Sequence, residues 1–250
     1  MDVVFGSRAS DIKPTLIHPR GPRAGLSSPP IVDLRKFCTY VDAQIGDRCE
    51  GQGFTGANWV RIGAQGKRAS PRGLYVLARS REKMRRGDAL KDVGCMTSDA
   101  YDAAVAVGLF PRDAADDDPS GVNTKLTWDE DAAATPVPAE YLEPIENGDT
   151  APVDAGLAEN SPNGFTMGVD DSYMLLTSTN PVWTGPKGPI RGLHRQVNVG
   201  RVLVANVPHY VAWNSWGSGW SEGGFSFIPC DVWAQFATEV VVHHGGVVLT

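Results

Sequence analysis

No apolar stretch in these 250 residues approaches the roughly 18 that a membrane-spanning helix requires. The opening residues, Met-Asp-Val-Val-Phe-Gly-Ser-Arg, lack the basic start and apolar run of a secretory signal. The expectation is a protein without a membrane span, in a cytoplasmic, reducing setting. Cysteine is scarce, with four at positions 38, 49, 95 and 230 and no C-x-x-C pair. That spacing excludes a disulfide framework and gives no structural zinc pattern. Basic excess is also missing: 29 acidic side chains face 23 basic ones, which argues against nonspecific nucleic-acid binding. The acidic stretches lack the D-x-[DN]-x-[DN]-G spacing of a calcium loop, so no metal and no cofactor is expected.

What is present is a large stock of core material, with seven Trp, eight Phe and six Tyr in a chain 42% hydrophobic. That suffices for one core or for two lobes sharing a cleft. Charge is uneven along the chain. Residues 1–110 carry 17 basic and 11 acidic side chains, whereas residues 111–160 carry 2 and 13. The second stretch includes Asp116-Asp117-Asp118, Asp129-Glu130-Asp131 and an Ala/Pro-rich run to Pro138, and reads as an acidic surface insertion or interlobe connection.

Residues 1–31 read as an extended N-terminal arm, because His18-Pro19-Arg20-Gly21-Pro22 and Ser28-Pro29-Pro30 disfavour helix. Patterning from Ala57 to Arg86 predicts two helices broken at Ser70-Pro71, where serine caps and proline takes the first turn. A third helix is expected from Ser98 to Val107, ended by Gly108. From residue 160 the chain changes character. Gly164–Val169, Gln196–Val199, Val202–Ala205 and Phe225–Phe227 alternate or are rich in β-branched and aromatic residues, and read as strands. Helices first and strands second make an α+β fold, with a site in the groove between lobes.

Gly51-x-Gly53-x-x-Gly56 matches dinucleotide-binding spacing, but the polar residues 42–50 before it supply no buried strand, so that match is set aside. A second constellation starts at the same place. Gln44-Ile45-Gly46-Asp47-Arg48-Cys49 has Gly46 for a tight turn just before a cysteine at a helix start, where the macrodipole favours the thiolate. Downstream come Gly192-Leu193-His194 and then Asn214-Ser215-Trp216-Gly217-Ser218-Gly219-Trp220-Ser221-Glu222-Gly223-Gly224-Phe225.

This last segment resembles the papain-like cysteine peptidases, whose N-S-W-G-x-x-W-x-E-x-G-[FY] motif it reproduces. The stretch from His194 to Gly200 is similar to the family's H-A-v-x-x-V-G strand, with Arg195 in place of the usual small residue and Arg201 in place of the usual aromatic. Ser70-Pro71-Arg72-Gly73-Leu74-Tyr75 through Arg79 and Asp92-Val93-Gly94-Cys95 through Pro111 resemble the bacterial and phage-type members. The resemblance spans about residues 32–115 and 160–240. It implies a papain-like two-lobe fold, with an N-terminal helical lobe, a C-terminal antiparallel β-barrel-like lobe and the cleft between them.

Residue by residue, the family implies Cys49 as nucleophile, His194 as base and then acid, Asn214 as the group orienting the imidazole, and Gln44 as an oxyanion donor beside the Cys49 backbone N–H. Trp216 would cover the Asn214–His194 contact, and Gly46 and Gly192 would support the cleft. The implied partner is a peptide or protein substrate. Three departures bear on activity. The Gln44–Cys49 turn is one residue shorter than usual, Glu50 puts a negative charge beside the nucleophile, and Gly51 and Gly53 weaken the helix that carries it. The shortened turn, Glu50, the extended arm and the acidic insertion motivate an alternative: a papain-fold component of an assembly such as a phage virion, catalytically weak or inactive, binding its partner through the arm. Acyl transfer on cell-wall peptides is a third option. Cys38, Cys95 and Cys230 read as buried apolar residues, His209 as structural or exposed, and the His243-His244 pair as solvated surface.

Overall fold

The computed structural model describes residues 7–8, 29–86, 93–112 and 134–250. Its elements run β1 (Ser7–Arg8), β2 (Val32–Asp33), α1 (Cys49–Arg61), α2 (Pro71–Arg86), β3 (Cys95–Met96), α3 (Thr97–Ala106), β4 (Leu142–Ile145), α4 (Ala151–Ala158), β5 (Asn163–Val169), α5 (Asp171–Met174), β6 (Gly192–Val204), β7 (Val207–Trp213), β8 (Phe225–Pro229), α6 (Cys230–Phe236) and β9 (Thr238–His243). The helices of the first half and the strands of the second follow the sequence pattern. Ser70 accepts the Gly73 N–H at 2.8 Å and Pro71 opens α2, as the capping argument requires. The two strand segments on either side of Gly200 merge into the single long β6.

β6 is the spine of the sheet. It pairs antiparallel with β5, β7, β1 and β2, and β5 continues through β9 to β4. This sheet stays open, which corrects the barrel-like expectation: β4 and β8 do not meet. A bulge between Asn198 and Arg201 lets Gly200 approach the Val32 carbonyl, where a Cβ would lie 2.6 Å from the oxygen.

The acidic stretch departs from expectation in its second half. β4 pairs with β9 over four residues. Val153 and Leu157 of α4 are buried in the main core beside Phe165 and Trp233. Asp154 accepts the Tyr210 hydroxyl at 2.8 Å, and Arg201 lies 3.5 Å away. β4 and α4 thus each give one face to the core, because short apolar positions between acidic ones suffice for one strand and two helical turns. Residues 113–133 lie outside the described residues. So does most of the arm, of which the described parts are β1, in the sheet, and residues 29–31, where the Pro29 carbonyl accepts from Arg201 at 3.0 Å.

α1 begins at Cys49, the helix start expected there, and extends the apolar pattern from Ala57 back through three glycines whose surroundings explain how. A Cβ at Gly53 would lie 2.5 Å from Arg195 Cγ, one at Gly56 would touch Trp213 and Val197, and one at Gly51 would collide with the Pro71 carbonyl. Those glycines carry no phosphate loop. They let α1 lie directly on β6 and β7 and on the start of α2, so that tertiary contact offsets the propensity loss.

Candidate active site

The candidate residues come from three places: the turn before α1, β6, and the loop leaving β7. Gln44 comes from the first. Its backbone N–H donates to the Ser215 carbonyl at 2.7 Å, its Oε1 accepts from the Ser215 hydroxyl at 2.6 Å, and its Nε2 donates to the Gly46 carbonyl at 3.1 Å. Gly217 N–H to Asp42 O, 2.8 Å, and a bridge between Ala43 and Trp216 extend this pairing. The turn that leads to the cysteine is therefore sewn to the loop that carries Asn214. Gly46 holds φ +67°, a conformation that glycine adopts without strain, and so makes the short turn. Cys49 follows as the first residue of α1, fully buried at the helix N-terminus.

His194 sits on β6 opposite Met167 of β5, and is fully buried. Gly192, two residues earlier, opens the strand opposite Val169. The histidine Nε2 lies 2.7 Å from Asn214 Oδ1. The same Oδ1 lies 2.6 Å from the Ser215 backbone nitrogen. A backbone N–H only donates, so the amide atom facing it is oxygen, and that oxygen accepts from His194 as well. The proton of the neutral ring is then on Nε2 and the lone pair is on Nδ1. Nδ1 has no hydrogen-bond partner among the described residues. Trp216 stacks on the ring at a centroid distance of 4.5 Å and 26° between planes, and Trp220 and Tyr173 close in behind it. This aromatic lid excludes water from the Asn214 contact. Burial pushes the imidazole pKa down to about 4, against the smaller upward pull of Asn214. The ring is neutral at pH 7, with its basic nitrogen bare.

The charge at Glu50 does not face the thiol unopposed. Glu50 is wholly buried, accepts the Thr97 hydroxyl at 2.9 Å, and has Arg195 Nε 3.6 Å from its second oxygen. Arg195, the departure that follows His194, lies flat in the core and donates to the Tyr101 hydroxyl at 2.9 Å and the Glu239 carbonyl at 2.6 Å.

The His243-His244 pair is not solvated surface. His243 is buried, 3.1 Å from the Tyr101 hydroxyl and edge-on to Phe54, with its pKa pushed down to about 3 by burial and by Arg195. His244 bonds Glu143, and His209 bonds the Val207 carbonyl at 2.8 Å within its strand. No group of three or more metal-ligating side chains occurs among the described residues. Cys95 is buried and Cys38 and Cys230 are partly buried, with burial raising each thiol pKa.

Sequence reasoning named Gln44, Gly46, Cys49, Gly192, His194, Asn214 and Trp216, and missed Ser215, Glu50 and Arg195 as parts of the same construction. Ser215 lay inside the recognised motif. For the other two the signal was a pair of opposite charges, each one residue after a proposed catalytic group.

No protein-family model and no curated protein matches the chain. Solved structures do. The chain is similar to xylellain, a cysteine protease from Xylella fastidiosa, with TM-score 0.71 and 20% identity over 97% of this chain and 96% of that one. It is also similar to a procathepsin B from Trypanosoma congolense, with TM-score 0.66 and 14% identity over 99% and 87%. A digestive procathepsin L from the Tenebrio molitor larval midgut gives TM-score 0.61 and 16% identity over 84% and 70%. At these identities the likeness shows the fold, which is that of the papain-like cysteine proteases.

Proposed function

We propose that the chain is a papain-like thiol hydrolase that cleaves peptide bonds through an acyl-enzyme on Cys49. The observation that carries this reading is the His194–Asn214 contact of 2.7 Å under Trp216, with the imidazole proton fixed on Nε2 and the Nδ1 lone pair unengaged. His194 Nδ1 takes the thiol proton as the Cys49 sulfur attacks the scissile carbonyl carbon. The helix N-terminus and the Cys49 backbone N–H stabilise the oxyanion, joined by the Gln44 carboxamide once it turns from the Gly46 carbonyl. The imidazolium returns its proton to the leaving amine, and water, deprotonated by the same nitrogen, releases the acyl group. Asn214 fixes the ring throughout. The kinship with bacterial and phage-type members belongs to this reading and rests on the segments around Ser70–Arg79 and Gly94–Pro111.

The assembly-component alternative drew on the short Gln44–Cys49 turn, the extended arm, the charge of Glu50 and the acidic stretch, and the structure bears on the last two. Glu50 faces Arg195 in the core and residues 142–158 are folded into the sheet and core, so both supports are weakened. The test is alkylation of Cys49 by iodoacetamide at neutral pH, read by mass spectrometry in wild type and His194→Ala. Fast, selective labelling that collapses without His194 is expected. Labelling no faster than at Cys38 would overturn the reading.

A further inference from the structure

We propose that the buried Glu50–Arg195 ion pair is a clamp that sets the distance and the charge balance between Cys49 and His194, with Arg195 its positioning residue. The inference rests on the thiol-hydrolase reading and adds to it two groups that touch neither substrate nor reacting atoms.

Each member follows a catalytic residue directly. Successive strand residues point to opposite faces, and successive helix residues are turned about 100° apart. Arg195 therefore projects away from His194, and the pair closes behind the dyad, joining the first turn of α1 to the first part of β6. The socket is built for it. Glycine stands at 53 and 164, where a Cβ would lie 2.5 Å from Arg195 Cγ and from Arg195 Nη2 respectively. Nη1 donates to the Glu239 carbonyl at 2.6 Å and to Thr166 Oγ1 at 3.3 Å, and Nη2 donates to the Tyr101 hydroxyl at 2.9 Å. Glu50 Oε1 accepts from Thr97 at 2.9 Å and from Thr166 at 3.4 Å. Four elements (α1, α3, β5 and β9) are thereby referred to one planar guanidinium on β6.

Stability alone does not call for such a pair, since well-packed apolar residues of similar volume commonly match a buried ion pair. Direction and charge are what it supplies. The fork's hydrogen bonds seat the guanidinium against β9, β5 and α3, and the ion pair to Glu50, Nε to Oε2 at 3.6 Å, refers α1 to that fixed seat. The guanidinium also cancels a carboxylate that, standing alone beside the thiol, would oppose the thiolate. The other charged or titratable groups around this region are Arg48 next to Cys49 in sequence, His194 on β6, Glu239 and His243 on β9, Asp99 and Tyr101 on α3, Cys95 on β3 and Arg79 on α2. None of them changes in the variants below.

The experiment measures the Cys49 alkylation rate against pH, with thermal stability alongside, in wild type, Glu50→Gln, Arg195→Gln and the double variant. Removing the carboxylate should move the labelling midpoint down and removing the guanidinium should move it up, each by roughly half a unit or more. The double variant should return to the wild-type midpoint but keep a plateau rate about tenfold lower, a loss equivalent to about 1.4 kcal/mol of misplacement. Simple loosening of the fold would shift both single variants the same way. That result, or a double variant with the wild-type plateau, overturns the clamp. Should Arg195→Gln not fold, Arg195→Lys keeps the charge without the fork and should hold the midpoint while lowering the plateau; an unchanged plateau overturns the clamp there. Wild-type labelling that needs His194 while every clamp variant behaves as wild type removes the clamp alone. Wild-type labelling no faster than at Cys38 removes the hydrolase reading, and the clamp with it.

Discussion

Gly51→Ala sets two effects of known sign against each other. Alanine in a helix interior is worth about 1 kcal/mol over glycine, so propensity alone predicts a more stable protein. Packing predicts the reverse. The new Cβ would lie 2.9 Å from the Pro71 carbonyl carbon and 3.3 Å from its Cα, with the carbonyl oxygen nearer still. These are backbone atoms at the start of α2, so no rotamer relieves the contact and the two helices must separate. Overpacking of this kind costs about 1–3 kcal/mol, and a backbone neighbour places it at the upper end. The net is a loss of about 2 kcal/mol, or about 4–8 °C in Tm for a chain of this size. Gly219→Ala, with nothing within 4 Å, is the control and should change Tm little. Differential scanning calorimetry reads the stability and iodoacetamide labelling reads the site, where Gly51→Ala should also slow Cys49 because the first turn of α1 is displaced. A Tm at or above wild type would refute the account of why this helix tolerates its glycines.

Two further outcomes follow from the buried polar groups. Asn214→Ala leaves His194 Nε2 without its acceptor and frees the ring, so Cys49 labelling and any peptidase kcat/KM should fall about 10- to 100-fold, the range of a lost buried hydrogen bond of about 1–3 kcal/mol; an unchanged rate would show that the ring is held by Trp216 alone. His194 and His243 have folded pKa values of about 4 and about 3, below the ordinary 6.5, so the unfolded chain binds protons more readily. Their contribution is complete above about pH 6.5 and is lost as pH falls towards 4 and 3, with roughly 4 kcal/mol gone by pH 5. Urea midpoints from pH 7.5 to 5 should drop accordingly, and a flat profile would contradict the neutral buried state of both rings.

Linear pattern determined much of this protein. The three helices of the first half, the strands of the second, and the order Gln44, Cys49, His194, Asn214 are all legible because each depends on neighbours in sequence: a serine–proline start, alternation on a strand, a motif of consecutive residues. The Asn214–Ser215–Trp216 segment even carries its own orienting hydrogen bond. Other features were decided only by tertiary structure. Residues 142–158 look like solvated linker by charge, yet bury Leu142, Ile145, Val153 and Leu157, because a few apolar positions have a sheet edge and a core to meet. Gly51, Gly53 and Gly56 look like helix breakers, and become the close-approach surface once Pro71, Arg195 and Trp213 stand opposite them. Glu50 and Arg195 look like two separate departures from a family pattern, and 145 residues of chain separate them. Whether a buried charge is a liability or a joint depends on what lies within a few ångströms of it, and local sequence is silent on neighbours brought together only by folding.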